Sequence, residues 1–111
     1  MKIELRPNEK LIKQSGANLQ RGVETVGGRL FLTDQRLYFD THPFNFASGP
    51  EEIELNKIMS TPPTWTMFLG FIPIFPNSLR IAVRDGSHYD FVVFGREQWK
   101  AEIDRHSGLR V

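Results

Sequence analysis

The 111-residue chain has no cysteine. Disulfides, thiolate zinc sites and a cysteine nucleophile are thereby excluded, and the composition fits a reducing compartment. An excess of either charge is also missing: 14 Lys and Arg stand against 13 Asp and Glu, for a net charge of +1. Duplex binding draws on a clustered basic face, so nucleic acid is not an expected partner. Long hydrophobic runs are absent too. The most apolar stretch, MFLGFIPIF at residues 67–75, is broken by Pro73. It falls well short of the roughly 20 residues a spanning helix needs. The opening MKIELRPNEKLIK is charged throughout and has no signal-peptide core. The expected location is the cytoplasm, with peripheral residence at the inner membrane face as the membrane option.

Catalytic patterns are equally sparse. His42, His88 and His106 lie far apart, and none has a metal-ligand spacing partner. Ser60, Ser78, Ser87 and Ser107 lack a nucleophile-elbow context. The TVGGR stretch is not a phosphate loop, because the Gly-x-x-x-x-Gly-Lys spacing and the following helix are missing. Glu51 and Glu52 read as loop surface rather than a catalytic dyad. No enzyme activity, cofactor or metal is expected.

What the sequence does contain is alternation. Forty per cent of residues are hydrophobic and nine are Phe, a composition that favours strands around an aromatic core. In GGRLFLTDQRLYF, residues 27–39, Leu30, Leu32, Leu37 and Phe39 fall on one face of a hairpin. Asp34-Gln35 is a poor two-residue turn, so Thr33 or Gln35 is expected to join a longer loop. Gly27 and Gly28 read as a bulge or a close backbone approach. Upstream, a weak strand is expected over about Lys10 to Asn18, with Gly16 as a bulge or break. THPFNFASGPEE reads as a loop. EEIELNKIM offers a strand with Ile53 and Leu55 on one face, and another is expected from about Trp65 to Leu69. Pro62, Pro63, Pro73 and Pro76 push their neighbours towards edges and turns. LRIAVRD and HYDFVVF alternate cleanly around an Asp85-Gly86 turn. After Gly95 the period changes, and Trp99 and Ile103 come to share one side of a helix ended by Gly108. The expectation is one mainly β domain over residues 1–111. It has about seven antiparallel strands forming a barrel or sandwich, capped by a C-terminal helix anchored at Trp99.

Two segments carry a family resemblance. GGRLFLTDQRLYF resembles the signature of GRAM domains. FPNSLRIAVRDGSHYDFVVFGREQW resembles the second half of the same family, so that the similarity runs from about Glu9 to Ile103. The resemblance implies the pleckstrin-homology-like superfold and a lipid-headgroup or protein-binding role.

It also implies where to look for a site. Lipid binding in pleckstrin-homology domains generally uses a Lys on the first strand and two basic residues one position apart on the second. Lys13 fits the first role and Arg29 the last, while the middle position falls on the uncharged Gly27. Lys10, Arg21 and Arg36 are the further candidates for headgroup charge. Independently of the resemblance, the segment from Trp65 to Phe75 holds more large apolar residues than one short strand can bury. Trp65, Phe68, Phe71, Ile72 and Phe75 are the candidate membrane or partner contacts, the alternative being that the segment folds back and closes the barrel as core. The partners expected are an anionic lipid surface or a protein, with weak self-association as a further option.

Overall fold

The computed structural model describes residues 2–41, 50–68 and 72–109, with the side chains of residues 66–68 and 72–76 set aside. Its strands are β1 (Leu11–Arg21), β2 (Glu24–Thr33), β3 (Arg36–Thr41), β4 (Glu51–Glu54), β5 (Ile58–Ser60), β6 (Pro63–Phe68), β7 (Ile72–Val83) and β8 (His88–Val93). Helix α1 spans Arg96–Ser107. All pairings are antiparallel, and the neighbours run β4-β3-β2-β1-β8-β7-β5 with β6 also on β7. The mainly β architecture with a C-terminal helix agrees with the sequence reading. The eighth strand is the three-residue β5, too short to leave a period in the sequence.

The core follows from alternation. Leu30, Leu32, Leu37 and Phe39 are buried, and they meet Leu19, Ile53, Leu79, Ile81, Phe91 and Val93 from the other strands. Phe39 and Phe91 pack with ring centroids 5.3 Å apart. Trp99 and Ile103 insert from α1 and are fully buried, closing the open end of the curled sheet. A polar clasp holds the helix down. The Thr61 hydroxyl donates to Asp104, and Lys100 Nζ donates to Thr61 O at 3.0 Å and to Asp104 Oδ2 at 3.1 Å. The helix ends where Gly108 takes φ 77° and donates its N–H to Asp104 O.

Several local expectations are corrected. The first strand runs on to Arg21, and its irregularity lies between Leu11 and Lys13 rather than at Gly16, which pairs in register with Arg29. The β2–β3 link is the two residues Asp34 and Gln35, despite their poor turn chemistry. Thr33 Oγ1 compensates by accepting the N–H groups of Gln35 and Arg36, each at 3.0 Å. Leu55 is buried, but it begins a 3-10 turn (Leu55–Lys57) rather than extending β4. Pro73 and Pro76 lie inside β7, on the stretch where it runs alongside β6. Of the loop expected over THPFNFASGPEE, residues 42–49 lie outside the described residues.

Gly28 is the close approach that the Gly pair foreshadowed. A Cβ there would lie 2.1 Å from Asp40 O and 2.8 Å from Phe39 Cζ. The obstructing oxygen is backbone, and Gly28 is paired with Thr41 across the ladder. Gly28→Ala must therefore pry β3 from β2, and we expect a loss of about 3 kcal/mol, the upper end for overpacking. Urea denaturation would register this as a lower midpoint. An unchanged midpoint would mean that β2 and β3 tolerate the separation.

Candidate functional site

The described N-terminal segment, residues 2–10, precedes β1 and is fastened across the outer side of β2, β3 and β4. Arg36 organises this latch. Its Nε donates to Glu9 Oε2 at 2.8 Å and its Nη2 to Glu9 Oε1 at 3.0 Å, a two-pronged pair. Nη2 also donates to Glu4 O at 2.7 Å, and Nη1 reaches Glu52. Glu9 accepts a third side-chain bond, from Thr33 Oγ1 at 2.6 Å, and one from the Arg6 N–H at 2.7 Å. Arg6 in turn donates to both oxygens of Glu54, at 3.0 and 2.7 Å. The Arg36 guanidinium, with further donors from Thr33 and the Arg6 backbone, outweighs burial and holds the Glu9 carboxyl down to about 2. Glu9 drives the Arg36 pKa upward in the same exchange. Phe31, on the solvent-side face by alternation, is only 2% exposed.

The headgroup candidates are dispersed by this geometry. Arg36 is consumed by the latch, so its guanidinium acts as a structural group and is left out of the proposed contacts. Arg21 pairs with Glu51. Arg29 Nε donates to Gln14 Oε1 at 2.9 Å. Lys13 Nζ sits 5.4 Å from the centroid of the Trp99 ring, a cation–π contact. Lys13 is opposite the core residue Leu32, whereas Arg29 neighbours Leu30 in the chain and so faces the other side of the sheet. The two charges do not converge in one mouth. Lys10 is exposed, and its backbone N–H donates to Asp34.

The apolar candidates form a different kind of feature. β8 pairs with β7 only up to Ser78, opposite Val92, whereas β6 accompanies β7 out to Ile72, opposite Phe68. Beyond Ser78, β6 and β7 therefore continue as a two-stranded arm past the end of β8. The backbones of Phe68 and Ile72 pair near its far end. Phe71 lies outside the described residues, as do the side chains of Phe68, Ile72 and Phe75. No charged residue occurs between Lys57 and Arg80.

At the base of the arm Trp65 is 50% exposed and Phe94 is 96% exposed. Phe94 lines an open cavity of about 390 Å³ with Asn77, Val92, Val93, Gly95 and Arg96. Arg96 braces this junction, since its Nη1 donates to Thr64 O at 2.9 Å and to Ser78 O at 3.1 Å. Phe94 was not among the candidates read from the sequence. The signal was present: alternation with the core residues Phe91 and Val93 already placed it on the outward face.

Little here suits chemistry. His88 lies 3.8 Å from Asp90 and His106 3.5 Å from Glu102, separate pairs on different elements. Glu51 and Glu52 are taken by arginines rather than by each other. Among the described residues no group of three His, Cys, Asp or Glu side chains could hold a metal ion. Among the same residues no helix is long and apolar enough to cross a membrane.

Residues 1–62 match the GRAM domain family, which is more than half of the chain. The chain belongs to the GRAM family. The match covers the latch and the β2–β3 hairpin, so the Thr33-x-x-Arg36 element of the signature has a structural reading here: it ties the N-terminal segment to the sheet. The second half of the resemblance, residues 75–99, lies beyond the matched segment and rests on the fold. There the GRAM domain is similar to solved pleckstrin-homology structures. The Vps36 N-terminal PH domain superposes with a TM-score of 0.68 at 19% identity, covering 95% of this chain and 83% of that one. The C-terminal PH domain of human pleckstrin gives 0.62 at 18%, covering 100% and 91%. The C-terminal domain of a Leishmania infantum protein of unknown function gives 0.72 at 18%, covering 91% and 86%. No curated protein matches the sequence. GRAM and PH-like domains are typically lipid- or protein-binding modules, and no enzymatic family is indicated.

Proposed function

We propose that this GRAM domain is a non-catalytic module that attaches peripherally to a membrane surface, through the β6–β7 arm and the aromatic residues at its base. The observation that carries this reading is the arm itself. It is a charge-free ribbon that runs on past the end of β8, with Phe94 almost wholly exposed beside it. Apolar groups in such a place gain roughly 1.5–3 kcal/mol each on full transfer out of water. Lys10 and Arg29 are the headgroup contacts proposed to assist, each worth about 1 kcal/mol near an anionic surface and screened by salt. Lys13, occupied over Trp99, contributes less.

Sedimentation with phosphatidylserine-containing vesicles tests the reading. The protein should pellet with them, and Arg29→Glu should weaken pelleting several-fold at low salt and little at high salt. A protein that stays in the supernatant under all conditions defeats the proposal. The same ribbon, with Trp65 and Phe94 exposed at its base, supports a second reading, self-association or capture of a protein partner. A molar mass that climbs with concentration, in a protein that ignores vesicles, would favour it.

A further inference from the structure

Resting on the second reading, self-association, we infer that two copies of this chain pair about a two-fold axis, each seating its Phe94 ring in the other's cavity at the β8–α1 corner. The argument begins with where Phe94 stands. β8 ends at Val93 and α1 begins at Arg96, so the corner between them is two residues long. The Gly95 carbonyl accepts the Trp99 N–H at 3.1 Å, and Trp99 is fully buried. On the other side Val93 belongs to the core. The corner is thus tied down at both ends. Alternation turns Phe94 away from the interior that Phe91 and Val93 fill, and leaves its ring in water. A ring held out on a short, anchored turn gives up little freedom on binding.

The socket lies directly beside it. Asn77, Val92, Val93, Gly95 and Arg96 line a cavity of about 390 Å³, with Phe94 at its rim. An apolar cavity of about 150 Å³ is enough to take a benzene ring, so a phenyl group fits. The lining suits one. Val92 supplies apolar wall, and the Arg96 guanidinium, pinned by Thr64 O and Ser78 O, presents a fixed cation to an aromatic face. An acyl chain gains nothing from that charge, which is why a protein ring is the occupant chosen here. A two-fold contact joins the same surface of both copies, so a protruding group must find its socket among the residues around it. Phe94 and its cavity meet that condition. The contact is small: two aromatic side chains bury roughly 150–250 Å² each, against about 1,200 Å² for a stable interface. A weak dimer, with a dissociation constant on the order of 100 μM, is expected. Pairing also withdraws Phe94 from a membrane, leaving the arm and Trp65 to make that contact.

Sedimentation equilibrium from about 10 μM to 1 mM tests the pairing. The average mass should climb from that of one chain towards that of two, and no further. Phe94→Ser should weaken association about a hundredfold, one factor of ten for each ring lost. Its urea midpoint should stay in place, because the ring is exposed in the single copy. Val92→Trp, which fills the socket and keeps the ring, should weaken association similarly. Mixing the two variants gives the sharper result. A Val92→Trp copy still offers a ring to the open socket of a Phe94→Ser copy, so the mixture should associate about tenfold more tightly than either variant alone. Association that survives Phe94→Ser, or a mixture no better than its components, would overturn this inference and leave self-association through another surface standing. A mass independent of concentration would defeat the pairing and self-association together.

Discussion

Arg36→Met is expected to destabilise the domain by about 3–5 kcal/mol, the cost of breaking a buried ion pair from one side. The Glu9 side chain is fully buried and directs both oxygens at the guanidinium. Without it Glu9 keeps bonds only from Thr33 and the Arg6 N–H, and Glu52 and Glu4 O lose a donor. A marginally stable domain has about 5–15 kcal/mol to lose, so a large drop in the urea midpoint should follow. The double variant Glu9→Gln with Arg36→Met removes both charges and should recover part of the loss. Equal loss in the single and double variants would show that packing, not the unpaired carboxylate, sets the effect.

The same pair gives acid sensitivity of definite sign. The folded Glu9 carboxyl titrates at about 2, below its ordinary 4.5. A depressed carboxyl contributes stability that is complete above the unfolded value and is lost as pH falls towards the folded one. Wild type should therefore lose stability between about pH 4.5 and pH 2. Glu9→Gln, less stable at neutral pH, should show a shallower decline over that window. Parallel pH profiles from denaturant titrations would contradict the assignment.

Trp99→Ala should cost about as much again, roughly 3–5 kcal/mol for an aromatic cut back to a methyl in a core. Trp99 is fully buried, and with Ile103 it is the apolar connection between α1 and the sheet. Lys13 would also lose its ring partner. Loss of the cooperative thermal transition, or a large fall in its midpoint, is the expected outcome. A change of less than about 1 kcal/mol, typical of exposed sites, would mean that the helix is not the stopper of the barrel.

These expectations show where a linear reading works and where it stops. Leu30, Leu32, Leu37, Phe39, Phe91 and Val93 were legible because a strand with one buried face writes its burial with a period of two. Trp99 and Ile103 were legible for the corresponding helical reason. Arg36 was not. Alternation places it on the solvent-side face beside Tyr38, and nothing in the spacing announces that residues 2–10 return over that face with Glu9. Such coverage is a tertiary event between segments far apart in sequence, and it turns a candidate ligand group into a buried anchor. Lys13 comes to lie opposite Leu32 through the slip between Leu11 and Lys13, local irregularity that periodicity cannot register. The arm was half legible. Its excess of apolar residues was plain, but its overhang depends on where β8 stops, at Val93, well over a dozen residues downstream of the ribbon.

β1 lies between β2 along its whole length and β8 over Ala17–Gln20. That seam binds an early segment to one synthesised close to the end of the sequence shown. During translation β1, β2 and β3 emerge as a meander able to pair at once, while their greasy side waits for β8 and the indole of Trp99. Contacts so remote in sequence are slow to form, and the waiting surface is prone to stick to other chains. The half-built sheet, before β8 and Trp99 arrive, is thus the stage of folding most open to aggregation.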